Sequence, residues 1–238
     1  MDGVYGIAGV IGLLLAMGGV IAVARPYKVS WRWLIAAAAL VVLNDALLTR
    51  GYGTLPDLLP GARWNWQGKL LALAATLAIA ALPAFGWRRA GLTLRQVPGS
   101  LASALPVALA YCAFFVAIAF AFPAGKPDAE TAAFQLTMPG LEEEAFYRGI
   151  LLLALDRAFT GRVRWLGVDW GWGAILSCAL FGLAHAFGYS DGGFTFDPMT
   201  MALTAVPSLL AVWLRLRTGS IALPVVLHNF GNAIGYLV

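Results

Sequence analysis

Eight apolar runs separated by polar loops constrain this chain more than any other feature of its sequence. A helix needs about 20 apolar residues to cross the hydrocarbon core of a bilayer. The chain is 61% hydrophobic and only 12% charged, whereas a soluble domain carries about 25% charged residues. We therefore predict an all-α, polytopic membrane bundle of about eight transmembrane helices around a polar cavity, with helices near residues 4–24, 33–49, 70–87, 101–122, 140–156, 173–190, 199–214 and 221–238.

Basic residues concentrate in alternate loops. The loops after the odd-numbered runs hold eleven of them: Arg25, Lys28, Arg32, Arg88, Arg89, Arg95, Arg157, Arg162, Arg164, Arg215 and Arg217. The opposite loops hold four: Arg50, Arg63, Lys69 and Lys126. The positive-inside rule then predicts a multi-pass protein of the plasma (inner) membrane with both termini outside the cytoplasm. Because these charges flank apolar runs, we interpret them as topology signals and predict no nucleic-acid partner.

The fifth run opens with three consecutive acidic residues, Glu142, Glu143 and Glu144, followed by Arg148. Ionisable groups at membrane depth are energetically expensive and usually functional. Glu144 and Arg148 are four residues apart, so they can pair and offset each other's burial. Glu143 points about 100° away and is free to face a cavity. The helix dipole alone could also favour carboxylates at an N-terminus, but the apolar setting disfavours that interpretation.

The only two histidines, His185 and His228, lie in the sixth and eighth runs. Phe181 shares a helix face with His185, and Asn232 shares one with His228, because each pair is four residues apart. An imidazole and a carboxamide on one face can both donate to a developing oxyanion. Either histidine could instead be an interhelical hydrogen-bonding residue. The predicted topology brings these groups and the acidic cluster to one depth, somewhat outside the midplane, as a single active site requires.

Other intramembrane protease chemistries lack their residues in this sequence. There is no H-E-x-x-H motif for a zincin-type site. No pair of acidic residues occupies two facing membrane helices, since Asp45 stands alone in its run, and no serine lies in a glycine-rich elbow. Glutamate, histidine and asparagine remain as the candidate catalytic groups.

At these residues the chain resembles the CPBP family of CAAX-protease and bacteriocin-processing membrane endopeptidases, also labelled Abi proteins. The family pattern E-E-x-x-x-R, F-x-x-x-H and H-x-x-x-N is matched in order by Glu143-Glu144 with Arg148, Phe181 with His185, and His228 with Asn232. The resemblance covers roughly residues 100–238. Within a single integral membrane domain, 1–238, we therefore interpret 1–100 as accessory helices and 101–238 as the catalytic core.

The resemblance implies an intramembrane glutamic endopeptidase. Glu143, oriented with His185, would deprotonate a water that attacks a peptide carbonyl. His228 and Asn232 would hold the oxyanion. The supporting residues would be Glu144, Arg148 and Phe181.

Metal dependence is an open alternative within the same family. Members have also been described as metalloproteases, and Glu143, His185 and His228 could in principle form a His₂Glu zinc site. We favour a metal-free enzyme without a cofactor, because Asn232 is a natural oxyanion donor and a poor zinc ligand.

The substrate follows less directly from the sequence. The chain resembles type II CAAX prenyl endopeptidases, and the best-known relatives remove a C-terminal tripeptide after a prenylated cysteine, on the cytoplasmic side. The charge pattern of this chain instead predicts that the site faces the non-cytoplasmic side. We expect membrane lipids and a membrane-anchored or lipid-modified protein as partners, cut near its C-terminal or membrane-anchor region. A non-catalytic immunity or assembly factor is the alternative from another class, and a transporter is disfavoured because the chain has no internal repeat.

Overall fold

The computed structural model describes residues 1–24 and 28–238, so Arg25 of the basic loops lies outside the described residues. Within these ranges a π-helical segment, Glu144–Leu151, lies between the sixth and seventh of ten α-helices. The α-helices are α1 Asp2–Ala24, α2 Trp31–Leu48, α3 Trp66–Ala81, α4 Leu101–Ala121, α5 Ala129–Gln135, α6 Met138–Glu143, α7 Leu152–Ala158, α8 Trp172–Ala186, α9 Pro198–Thr218 and α10 Ala222–Ile234.

The predicted helical class is confirmed, since helix accounts for 66% of the chain. Each of the eight predicted runs overlaps a helix of the structure. Among the described residues, four helices are long and apolar enough to cross a membrane, namely α1, α2, α4 and α9. The apolar helices α3 and α8 are shorter, with 16 and 15 residues. Membrane crossing by all eight stays a prediction.

Two short β-hairpins were missed by the helical prediction. Strands β1 (Arg162–Trp165) and β2 (Val168–Gly171) pair in one loop, and β3 (Phe187–Ser190) pairs with β4 (Gly193–Phe196) in another. The sixth helix was predicted to reach residue 190, and this is wrong because α8 ends at Ala186. The Asp-Gly pair at 191–192 has positive φ at both residues, which is the geometry of a two-residue hairpin turn.

Helix α3 begins four residues before its predicted start at residue 70. Asn65 caps its N-terminus, since the Asn65 side chain accepts a hydrogen bond from the backbone N–H of Gly68 at 3.0 Å. At the other end Leu82 is extended, as expected for a residue that precedes proline. The earlier start brings Lys69 into the first turn of the helix, although it was predicted to be a loop residue.

The fifth run also begins earlier than predicted, at Met138, so the acidic cluster lies in its second turn rather than its first. From Glu144 to Leu151 the backbone is π-helical, and all eight residues of that segment are buried. Single π-helical turns inside α-helices occur frequently at functional sites. The segment carries Glu144 and Arg148 into the interior of the bundle.

The loops gather at two ends of the bundle. At the end that carries most of the basic residues, the backbone N–H of Ser30 donates to the carbonyl of Ala158 at 2.7 Å. At the opposite end, Arg63 forms an ion pair with Asp128. The acidic cluster begins near this second end, and α8 carries His185 towards it.

Helices α8 and α9 pack closely at Gly182. A Cβ atom at Gly182 would lie 2.6 Å from Sδ of Met201 and 2.9 Å from Cβ of Ala205. Small residues at such contacts let membrane helices approach each other. This packing sets the position of the α8 segment that ends with His185.

We predict that Gly182→Ala destabilises the protein, because the added methyl group overpacks the α8–α9 contact and overpacking typically costs about 1–3 kcal/mol. Thermal unfolding in detergent micelles measures the effect. Gly12→Ala is the matched control, since no heavy atom lies within 4 Å of a Cβ built at Gly12 of α1. Equal melting temperatures for the two variants would contradict the prediction.

Candidate active site

A cavity of about 570 Å³ opens between the helices of the bundle. All seven residues predicted for the site line this cavity: Glu143, Glu144, Arg148, Phe181, His185, His228 and Asn232. They come from α6, the π-helical segment, α8 and α10. The structure therefore brings the three motifs together around one space.

Glu144 contacts one residue of its own motif and one of the third motif. Its side chain is 1% exposed, and its Oε2 lies 3.2 Å from Nε of Arg148. Nδ1 of His228 donates to its Oε1 at 2.8 Å. Because Nδ1 of His228 is held by this carboxylate, the orientation of the His228 ring is fixed.

Glu143 is held by the ammonium group of Lys69, a residue that was not predicted to belong to the site. Nζ of Lys69 lies 2.6 Å from Oε1 of Glu143 and 2.7 Å from Oε2 of Glu142. Glu143 was predicted to be free to face the cavity; it does line the cavity, but one of its oxygens is paired. The only signal available in the sequence was charge balance, because three consecutive carboxylates and a single nearby cation, Arg148, leave negative charge without a partner.

The Phe181 ring lies among residues of all three motifs. The guanidinium carbon of Arg148 lies 4.2 Å from the centre of the Phe181 ring, a cation–π distance. The ring centres of His185 and His228 lie 4.7 Å and 6.0 Å from that of Phe181. One buried phenyl ring therefore contacts the cation of the first motif and lies next to the histidines of the other two.

His185 has one nitrogen committed to its own helix. Its Nδ1 lies 2.8 Å from the carbonyl oxygen of Phe181. A carbonyl can only accept a hydrogen bond, so Nδ1 carries the proton, and Nε2 of the neutral ring is an acceptor. The helix therefore sets the tautomer of His185.

Two asparagines of α10 have different environments. Within the described residues, the Asn232 side chain makes no hydrogen bond and lines the cavity. Asn229 is buried; its Oδ1 accepts from the backbone N–H of Gly140 at 2.7 Å, and its Nδ2 donates to the carbonyl of Thr137 at 3.1 Å. Asn229, which the sequence analysis did not single out, ties α10 to the start of the acidic helix.

The rim of the cavity is aromatic and was also missed from sequence. Trp64 lines the cavity and stacks on Phe134 with ring centres 5.1 Å apart. Glu130 accepts from the backbone of Trp64 and from the indole N–H of Trp66. The backbone N–H of Thr131 is the main cause that lowers the pKa of Asp128, so the ion pair of Asp128 with Arg63 stays charged to a lower pH than an ordinary carboxylate would.

The arrangement does not fit the three-ligand zinc alternative. Across residues 1–24 and 28–238, no three His, Cys, Asp or Glu side chains are grouped closely enough to hold one metal ion. Glu143, which such a site needs, is instead paired with Lys69.

Comparison with protein-family models matches residues 129–234 to the Rce1-like family, described as type II CAAX prenyl endopeptidase Rce1-like. That range contains all three motifs and every residue predicted for the site. The resemblance to CAAX proteases is thus confirmed over residues 129–234. No curated protein and no solved structure matches the chain.

We predict that Asn229→Ala lowers the melting temperature, since it leaves the Gly140 N–H buried without a partner, which costs about 1–3 kcal/mol. Asn232→Ala, on the same helix, is the matched control and should melt like the wild type. Thermal unfolding of both purified variants in one detergent provides the measurement. The prediction is wrong if both variants melt alike.

Proposed function

We propose that the protein is an intramembrane endopeptidase of the glutamic type that hydrolyses a peptide bond of a membrane-associated protein. The observation that carries the proposal is the single cavity lined by the catalytic candidates Glu143, His185, His228 and Asn232. The Rce1-like match supports the reaction class, because the family is one of peptidases. The eight predicted spans would place this cavity within the membrane.

In this mechanism Glu143 is the general base. Its carboxylate removes a proton from a water molecule, and the water oxygen bonds to the carbonyl carbon of the substrate while the π electron pair moves to the carbonyl oxygen. When the carbonyl re-forms, the C–N bond breaks and the nitrogen leaves with the proton that Glu143 held. Nε2 of His185 is an acceptor suited to orienting the attacking water. General base catalysis typically contributes about 10²–10⁴-fold to a rate.

Stabilisation of the oxyanion is assigned to His228 and Asn232. The carboxylates of Glu143 and Glu144 flank the His228 ring, with Nε2 lying 3.6 Å from Oε2 of Glu143. In the proposed mechanism the His228 ring is doubly protonated, and its Nε2–H is then a charged donor. The Asn232 amide, which lacks a partner among the described residues, is the second donor. Such preorganised donors are strongest where water is excluded.

We propose a mechanism without a metal ion or cofactor, because no three candidate metal ligands are grouped among the described residues. The substrate class follows from the family's name, which specifies prenylated proteins. We infer a lipid-modified or otherwise membrane-anchored protein, cut near its C-terminal or membrane-anchor region. The positive-inside rule applied to the basic loops supports a site that faces the non-cytoplasmic side of the plasma membrane.

We predict that Glu143→Gln lowers kcat by about 10²-fold or more, because the amide keeps the shape of the side chain but cannot accept a proton. The assay uses purified protein in lipid nanodiscs with two quenched-fluorescence probes: a peptide ending in a prenylated cysteine plus three residues, and an unmodified transmembrane peptide. Asp191→Asn, in the exposed turn of the β3–β4 hairpin, is the control. Full cleavage by Glu143→Gln would show that Glu143 is not the general base, whereas a wild-type protein that cleaves neither probe would favour a non-catalytic membrane factor.

We also predict the sidedness of the membrane insertion. With Cys112 and Cys178 replaced by alanine, a cysteine at Lys126 should react with a membrane-impermeant maleimide added to intact cells, and a cysteine at Arg162 should react only after permeabilisation. Both positions are exposed in the structure, at opposite ends of the bundle. The reverse labelling pattern would contradict this prediction and indicate that the site faces the cytoplasm.

A further inference from the structure

We propose that Lys69 is a positioning residue for the catalytic carboxylate: its ammonium group holds Oε1 of Glu143 and leaves Oε2 as the oxygen that accepts the proton. The inference rests on the proposed function. It concerns a residue outside the three motifs and outside the matched range 129–234. Helices one to three were interpreted as accessory, so this assignment gives α3 a part in the site.

The two oxygens of Glu143 have different environments. Oε1 is occupied by Nζ of Lys69 at 2.6 Å. Oε2 is buried and makes no hydrogen bond to any described group, and it lies 3.6 Å from Nε2 of His228. Since Lys69 occupies Oε1, Oε2 is the carboxylate oxygen left without a hydrogen-bond partner, and we assign the acceptance of the proton to it.

Glu142 anchors Lys69 from the other side. Its side chain is 0% exposed, and its Oε2 lies 2.7 Å from the Lys69 ammonium. When Glu143 takes up a proton during the reaction, Lys69 therefore keeps one ionised partner. A buried cation that lost its only partner would be strongly destabilised, so the Glu142–Lys69 pair lets Glu143 change charge at low cost.

The backbone contacts around Lys69 fix the position from which its side chain extends. Asn65 caps α3, and its Nδ2 also donates to the carbonyl of Leu48 at 2.9 Å. A Cβ at Gly68 would collide with that same carbonyl oxygen, so glycine permits the close approach of α3 to the end of α2. The Lys69 side chain is only 12% exposed, which leaves little solvent to compete for its ammonium.

The test is the effect of Lys69→Met on the separate kinetic constants in the nanodisc assay with the prenylated peptide. Methionine fills a similar volume but leaves Glu143 without its cation, so the carboxylate loses its orientation or its charge. We expect kcat to fall about tenfold or more with KM within threefold, a loss confined to the chemical step. Lys69→Arg should retain more activity than Lys69→Met. Lys126→Met, an exposed lysine at the same end of the bundle, should match the wild type.

A second variant distinguishes a folding defect from the loss of carboxylate positioning. The double variant Lys69→Met/Glu142→Gln removes both charges of the Glu142–Lys69 pair, so neither charge is left buried without a partner. This variant should therefore melt close to the wild type and still show the loss in kcat. A kcat within threefold of wild type for this folded variant, with Glu143→Gln inactive, would overturn the role of Lys69 and leave the proposed function intact. A rise in KM with unchanged kcat would also overturn it, since Lys69 would then bind substrate. Wild-type protein that cleaves neither probe refutes the proposed function itself.

Discussion

The structure depends on the neutralisation of three consecutive carboxylates, of which Glu142 and Glu144 are buried and Glu143 is partly buried. Ionised groups can remain in an apolar interior only when they are paired, and removing one partner of a buried pair costs about 3–5 kcal/mol. Lys69 pairs with Glu142 and Glu143, while Arg148 and His228 both contact Glu144. These partners come from α3, the π-helical segment and α10, so charge pairing holds together the helices that surround the cavity.

The same contacts orient the groups for chemistry. Glu144 holds one nitrogen of His228 and leaves the other to the cavity, and the carbonyl of Phe181 does the same for His185. The Phe181 ring packs between these imidazoles and the guanidinium of Arg148. A site built on helices and supported by a second layer of contacts is more rigid than one on loops. The proposed hydrolysis needs this rigidity because its base and its oxyanion donors come from different helices.

Helical periodicity was sufficient to predict the helical class and which motif residues share a face. The pairing of Glu144 with Arg148 follows from a spacing of four residues. The contact between Lys69 and Glu143 does not, because 74 residues separate them and no local pattern encodes which distant helix supplies a counter-ion. The β3–β4 hairpin was missed although its Asp-Gly turn is a strong local signal, since the surrounding aromatic run looked like a continuation of helix α8.

Solid-state NMR of the protein in lipid bilayers tests the central claim most directly. With only two histidines in the chain, ¹⁵N-histidine and ¹³C-glutamate labelling gives spectra that single substitutions can assign. The account predicts a dipolar contact between Nδ1 of His228 and the carboxyl carbon of Glu144, together with magnetisation transfer from water to the carboxyl of Glu143. A His228 resonance without a glutamate contact, or a Glu143 carboxyl that water does not reach, would contradict it.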